Sequence, residues 1–213
     1  MSSGLVAVLA EVRTSVLALL CAPAIAFGQA AAPEPKALSV NEEASATQRA
    51  DETVTYLLAA GAGASYLIDV EQRGLDLIVT IEAPNGSTQS YNSPLRRDER
   101  EYALLDAAVA GDYRITISSN ELTNAVGAHS IRVTAAGGFD ATRLEAWRLM
   151  TSAAATNAAA DHARLAQTLE QEQVDTLKMT SRDSYVRAGE LWQRLAEPRL
   201  HAQALYSTAM LEY

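Results

Sequence analysis

Leu75-Asp76-Leu77-Ile78-Val79-Thr80-Ile81-Glu82-Ala83-Pro84-Asn85-Gly86-Ser87 is the stretch that decides the fold. Leu75, Leu77, Val79 and Ile81 recur at every second position, opposite Asp76, Thr80 and Glu82. Successive side chains of a strand point to opposite faces, so this is a strand with one buried and one solvated face. Pro84-Asn85-Gly86-Ser87 then presets a tight turn, because proline fixes φ and Asn-Gly tolerates the left-handed region.

The same period extends on both sides. Val54, Tyr56 and Leu58 alternate with Thr53, Thr55 and Leu57, and Tyr66, Ile68 and Val70 alternate with Ser65, Leu67 and Asp69. Downstream, Tyr113, Ile115 and Ile117 face away from Arg114, Thr116 and Ser118, and Ile131 with Val133 closes the set. Gly61-Ala62-Gly63 and Gly111-Asp112 supply further turns. Short strands at this spacing, with no helical segment between them, predict an antiparallel β-sandwich over 51–136 rather than a parallel α/β sheet.

After Gly137-Gly138 the period becomes helical, with Leu144, Trp147 and Met150, then an Ala-rich run, then Leu165 and Leu169. Tyr185, Ala188, Trp192 and Leu195 form the best amphipathic stripe, which Pro198 ends. Ala202, Leu205, Tyr206 and Ala209 are expected to make the facing stripe of a second helix, giving an αα-hairpin within 140–213. Trp147 and Trp192 are read as core anchors of these helices.

Upstream, the apolar run Val16–Phe27 is about a dozen residues, short of the roughly 20 a membrane span needs. It is followed by small-residue triplets, Ala24-Ile25-Ala26 and Gly28-Gln29-Ala30, so 1–30 is read as a secretory signal and the chain as exported, periplasmic or extracellular. The single cysteine, Cys21, belongs to that segment, which leaves an exported product without disulfides. Residues 31–50 read as a linker without structure of its own, whose end near Ala37–Val40 adds at most an edge strand.

A formal net charge of −9 with no basic stripe argues against a nucleic-acid partner, and 48% hydrophobic residues among 213 are enough for a buried core.

With these pieces in order, the segment TYLLAAGAGASYLIDVEQRGLDLIVTIEAPNGS, followed by GDYRITI and HSIRV, resembles the N-terminal part of bacterial exported proteins that carry tetratricopeptide repeats and a caspase-like CHAT peptidase domain. The resemblance rests on Val70-Glu71-Gln72, Gly74-Leu75-Asp76, Ala83-Pro84-Asn85-Gly86 and Gly111-Asp112-Tyr113, and covers roughly Thr53–Val133. It implies a pre-peptidase C-terminal-like or jelly-roll sandwich followed by tetratricopeptide-like hairpins, that is, a multi-domain β-then-α chain. Ser181, Tyr185 and Ala188 match the small, aromatic and small positions of a repeat's second helix, but Gln193 stands where the repeat's proline is expected. The resemblance further implies a chain that is the N-terminal part of a longer protein, with a helical face left for the next repeat.

No residue pattern in the sequence nominates a catalytic, cofactor or metal site. His129, His162 and His201 lack zinc-site spacing and read as separate surface or boundary residues. Gly61–Ser65 has neither the phosphate-loop ending nor the serine-elbow order. Asp69, Glu71 and Asp76 put three carboxylates near one connection, a cluster that can hold calcium, but the loop lacks a dense Asp-x-Asp-Gly pattern and solvent-facing acids beside a turn explain the same residues. Gln72 is read as satisfying backbone groups where its strand ends. Asn85-Gly86-Ser87 is formally a glycosylation acceptor that the turn accounts for.

The expected role is therefore a non-catalytic, exported interaction or scaffolding module whose partner is another protein or a downstream domain. The rivals are the front part of a secreted CHAT peptidase and a carbohydrate- or calcium-binding sandwich.

Overall fold

The computed structural model describes residues 34–119, 121 and 124–212. The expected signal segment at 1–30, with Cys21, lies outside them. Nine strands run β1 Lys36–Ala37, β2 Glu43–Arg49, β3 Val54–Ala60, β4 Ser65–Arg73, β5 Leu77–Glu82, β6 Thr88–Tyr91, β7 Arg100–Asp106, β8 Gly111–Ser119 and β9 Val126–Ala135. They are followed by helices α1 Ala141–Ala166, α2 Gln171–Arg194 and α3 Pro198–Met210.

The strands form a five-stranded sheet in the order β1-β3-β8-β5-β6 and a four-stranded sheet in the order β2-β9-β4-β7. All named pairings are antiparallel except β1 with β3. The period-two stripes meet between the sheets: Tyr56, Leu58, Ile68, Val70, Leu75, Leu77, Val79, Ile115, Ile117, Ile131 and Val133 are all buried in one core. Their opposite positions on β5 and β8, such as Thr80 and Arg114, lie on the outer face of the five-stranded sheet, and this one-sided burial is why the alternation is legible.

Gly86 and Gly127 are among the glycines that the geometry requires. Gly86 takes φ +82° in the turn after β5, where the Asn85 Oδ1 accepts the Ser87 N–H at 3.0 Å. Gly127 lets β9 pass the end of β4, since a Cβ there would stand 2.5 Å from the Arg73 carbonyl oxygen.

Within the expected linker at 31–50, residues 36–37 and 43–49 are strand instead. β2 pairs with β9 along its whole length, from Glu43 opposite Arg132 to Arg49 opposite Val126. Its sequence, Glu-Ala-Ser-Ala-Thr-Gln-Arg, carries small and polar residues on both faces, so it shows no apolar alternation although Gln48 is buried. Strand β7 shows no apolar alternation either, for the opposite reason. Ala103 and Leu105 face the inter-sheet core while Tyr102 and Leu104 face the helices, so burial on both sides erases the period.

The helices begin and end on local signals. Asp140 caps α1 by accepting the Arg143 N–H at 2.9 Å, Gln167 closes it in the left-handed region, Glu170 and Gln173 form a capping box on α2, and Pro198 occupies the first turn of α3. α1 and α2 run antiparallel, as shown by Arg143 bonding Glu197 at one end and Lys178 bonding Asp161 at 2.7 Å toward the other.

The strands and helices belong to one compact unit, Pro33–Tyr213, rather than to separate β and α domains. The outer face of β4 and β7 supplies Leu67, Tyr102 and Leu104 to a second core with Trp147, Met150, Tyr185, Ala188 and Trp192. Tyr102 and Trp147 stack at 4.7 Å between ring centroids, and Trp147 meets Trp192 edge-on at 4.8 Å. The sheet thus covers one face of α1, through Trp147 and Met150.

On α3 the expected stripe is reversed. Gln203, Ala204 and Ser207 are buried, whereas Ala202, Leu205, Tyr206 and Ala209 are exposed. The buried α3 face is small and polar because it closes on Gly189 and on the polar junction described next.

Candidate functional site

The densest polar arrangement lies where β7 meets the helices. Glu101 has no solvent exposure, because β7 turns it inward beside the loop after β6. The Ser93 N–H donates to Oε2 at 2.7 Å, the Ser93 hydroxyl to Oε1 at 2.6 Å, and the Gln72 amide to Oε1 at 3.4 Å. Gln72 also donates to the Arg96 carbonyl at 3.2 Å and accepts the Leu77 N–H at 2.8 Å, so it satisfies backbone groups at the β4–β5 connection.

Among the described residues, no cation bonds this carboxyl directly. Burial pushes it up to about 8, against the lowering effect of the Ser93 bonds. In the protonated form the carboxyl hydroxyl can donate to Ser93 Oγ, whose own proton then reaches the Leu95 carbonyl at 3.4 Å. Next to it, a cavity of about 10 Å³ is lined by Arg100, Tyr102, Tyr185, Gln203 and Ser207 among others. Tyr185 Oη and Ser207 Oγ are buried there beside each other, and Arg100 Nε is buried without a partner among the described residues.

The three histidines do not converge. His129 is buried rather than at the surface: it points between the sheets from β9 and shares a 2.9 Å hydrogen bond with the Tyr56 hydroxyl of β3. Burial draws its imidazole down to about 4, with Lys36 adding to the effect. His162 is exposed on α1, and His201 on α3 bonds the Gly189 carbonyl at 2.8 Å. The signal for His129 was present in the sequence, since it stands two residues before Ile131 and four before Val133 on the same face.

The three candidate calcium carboxylates are not brought together either. Arg100 takes both oxygens of Asp69 at 2.7 Å and Glu71 at 2.6 Å, while the Asp76 N–H bonds Glu121, itself paired with Arg97. Burial pushes Asp76 up to about 6. Among the described residues, no group of three or more His, Cys, Asp or Glu is placed to hold a metal ion. In the Gly61–Ser65 turn Gly63 takes φ +77°, and Ser65 Oγ bonds Asp106 across to β7.

This geometry ties β7 to the β4–β5 connection and to the loop after β6. Glu101 is sealed from solvent, and its partners are a main-chain amide, a hydroxyl and a carboxamide.

Comparison with known proteins matches no family model and no curated protein. Among solved structures, the pre-peptidase C-terminal domain of a collagenase from Bacillus anthracis is similar over 47% of this chain and 95% of its own, at 13% identity and a TM-score of 0.39. The periplasmic inhibitor of g-type lysozyme PliG from Aeromonas hydrophila is similar over 48% of this chain and 99% of its own, at 17% identity and a TM-score of 0.33. PliG from Salmonella Typhimurium covers the same shares at 13% identity and a TM-score of 0.36. Assignment of a β-sandwich rests on the two sheets themselves. Among the described residues no helix is long and apolar enough to cross a membrane.

Proposed function

We propose that the chain is an exported, non-catalytic interaction or scaffolding module, in which a pre-peptidase-like sandwich serves as a rigid base for helices of tetratricopeptide-like kind. Export by a signal at 1–30 and the likeness to CHAT-associated repeat proteins are parts of this proposal, carried by the sequence.

The observation that supports it is the outward face of α3. Leu205 is 52% exposed, Tyr206 55% and Met210 39%, with Ala202 and Ala209 beside them. Large apolar side chains grouped on one helical face are a feature of surfaces that receive another protein. α3 is held in place by Gln203 Nε2 donating to the Arg100 carbonyl of β7 at 3.1 Å, so the face is presented on a fixed base.

A photo-crosslinking amino acid placed at Tyr206, in the chain produced and exported by its own kind of host, tests this. Discrete protein adducts are expected at Tyr206 and not at Thr80 on the outer sheet, and Leu205→Glu with Met210→Glu removes them while circular dichroism stays unchanged. Identical adduct patterns at both positions would contradict the reading.

A further inference from the structure

The two sides of the sandwich are finished differently. On the β6–β7 side, helix α1 packs against both strands, and Asn157 Nδ2 donates to the Asn92 carbonyl at 2.8 Å just beyond β6. On the other side, β2 is the outermost strand of its sheet and pairs only with β9 among the described residues.

An open edge is a template for another strand, and proteins usually blunt one with lysine, proline, a bulge or extreme shortness. β2 carries no lysine, proline or bulge, and its charges, Glu43 and Arg49, stand only at its two ends. It is seven residues long, its register with β9 is unbroken, and its sequence is Glu43-Ala44-Ser45-Ala46-Thr47-Gln48-Arg49.

That sequence is complementary to itself. Antiparallel pairing of two β2 strands about a two-fold axis at Ala46 sets Glu43 opposite Arg49, Ala44 opposite Gln48 and Ser45 opposite Thr47. Glu43, Ser45, Thr47 and Arg49 share one exposed face, so both charged pairs form on the same side of the joined sheet. In either register shifted by two residues, one charge faces a hydroxyl residue and the other passes the strand end. The present partners of these charges are surface ones, Arg132 for Glu43 at 3.1 Å and Asp51 for Arg49 at 3.2 Å, and they remain compatible with the new pairs as alternating charges. The central residues are Ala, Ser and Thr, which let two backbones approach.

We propose that the β2 edge is a homodimerisation surface, where two copies of this chain join their four-stranded sheets into one continuous sheet across a two-fold axis at Ala46. This holds whether or not α3 receives a partner, because it is carried by a different element on the opposite side of the sandwich.

Sedimentation velocity on the full chain, with folding checked by circular dichroism, tests it. The unaltered chain is expected to form dimers. Glu43→Arg sets like charges opposite each other twice and raises the dimer dissociation constant about tenfold or more. The swap Glu43→Arg with Arg49→Glu restores dimerisation. In a Cys21→Ser background, Ala46→Cys is expected to give a covalent dimer on mild oxidation, because directly opposed residues lie within disulfide reach, whereas Thr88→Cys on β6 does not. A chain monomeric up to about 1 mM, or a dimer indifferent to both charge variants and to the position of the cysteine, overturns the proposal.

Discussion

Glu101 makes the stability of the fold depend on pH in a direction opposite to that of most carboxylates. Its carboxyl stands at about 8 in the folded chain against an ordinary 4.5, so the folded state binds the proton more tightly than the unfolded one. The associated stabilisation is complete below about pH 4.5 and is lost as pH rises through 8, up to roughly 5 kcal/mol at 1.36 kcal/mol per pH unit. Between about pH 6.5 and 8 this group dominates: Asp76, at about 6 when folded, has largely finished titrating, and the loss of the proton from His129 in the unfolded chain, at its ordinary 6.5, adds back only about 0.4 kcal/mol. Urea unfolding followed by tryptophan fluorescence should therefore show ~1.5 kcal/mol of stability lost across that interval, against total stabilities of about 5–15 kcal/mol. Glu101→Gln, which cannot ionise, should abolish the slope. A flat profile in the unaltered chain, or a slope that survives in Glu101→Gln, would refute the assignment of a buried, cation-free carboxyl.

Other substitutions probe the remaining contacts. His129 is held neutral, at about 4 when folded against an ordinary 6.5, so its stabilisation is present above pH 6.5 and falls by ~3 kcal/mol as pH drops through 4; His129→Gln should flatten that acid limb in urea titrations. Gly127→Ala drives a methyl group into the Arg73 carbonyl and should cost about 2 kcal/mol or more, visible as a lower melting temperature with an unchanged circular dichroism spectrum at low temperature. Trp192→Ala removes a fully buried side chain shared by α1, α2 and the sheet, and a loss of about 3–5 kcal/mol in chemical denaturation is expected. Leu77→Asp puts an unpaired charge between the sheets and should prevent cooperative folding altogether, as judged by the absence of a thermal transition.

Legibility in the sequence followed burial on one face. β3, β5 and β8 were readable because solvent washes one side of each, and the turns at Gly63 and Pro84–Ser87 were readable from residues with fixed backbone preferences. β7 was hidden because helices cover its second face, and with it went Glu101, whose burial follows only from knowing that Ala103 and Leu105 are core. β2 was hidden because small polar residues fill its edge. Gln72 was correctly given a backbone-satisfying role, since it continues the inward register of Ile68 and Val70 to the strand end. The α3 stripe misled because its large apolar residues face outward, while Ala204 and Ser207 make the close contact that larger side chains would prevent.

The central structural claim is that the sandwich and the helices form one cooperative unit through the core of Leu67, Tyr102, Leu104, Trp147 and Trp192. Amide hydrogen exchange of the full chain, measured strand by strand and helix by helix over increasing urea, tests this most directly. Amides of β4, β8, α1 and α2 are predicted to converge on one opening free energy, and Trp192→Ala should lower it for the strands as much as for the helices. Helices that open at lower urea while β4 and β8 keep their full protection, with strands unaffected by Trp192→Ala, would contradict it.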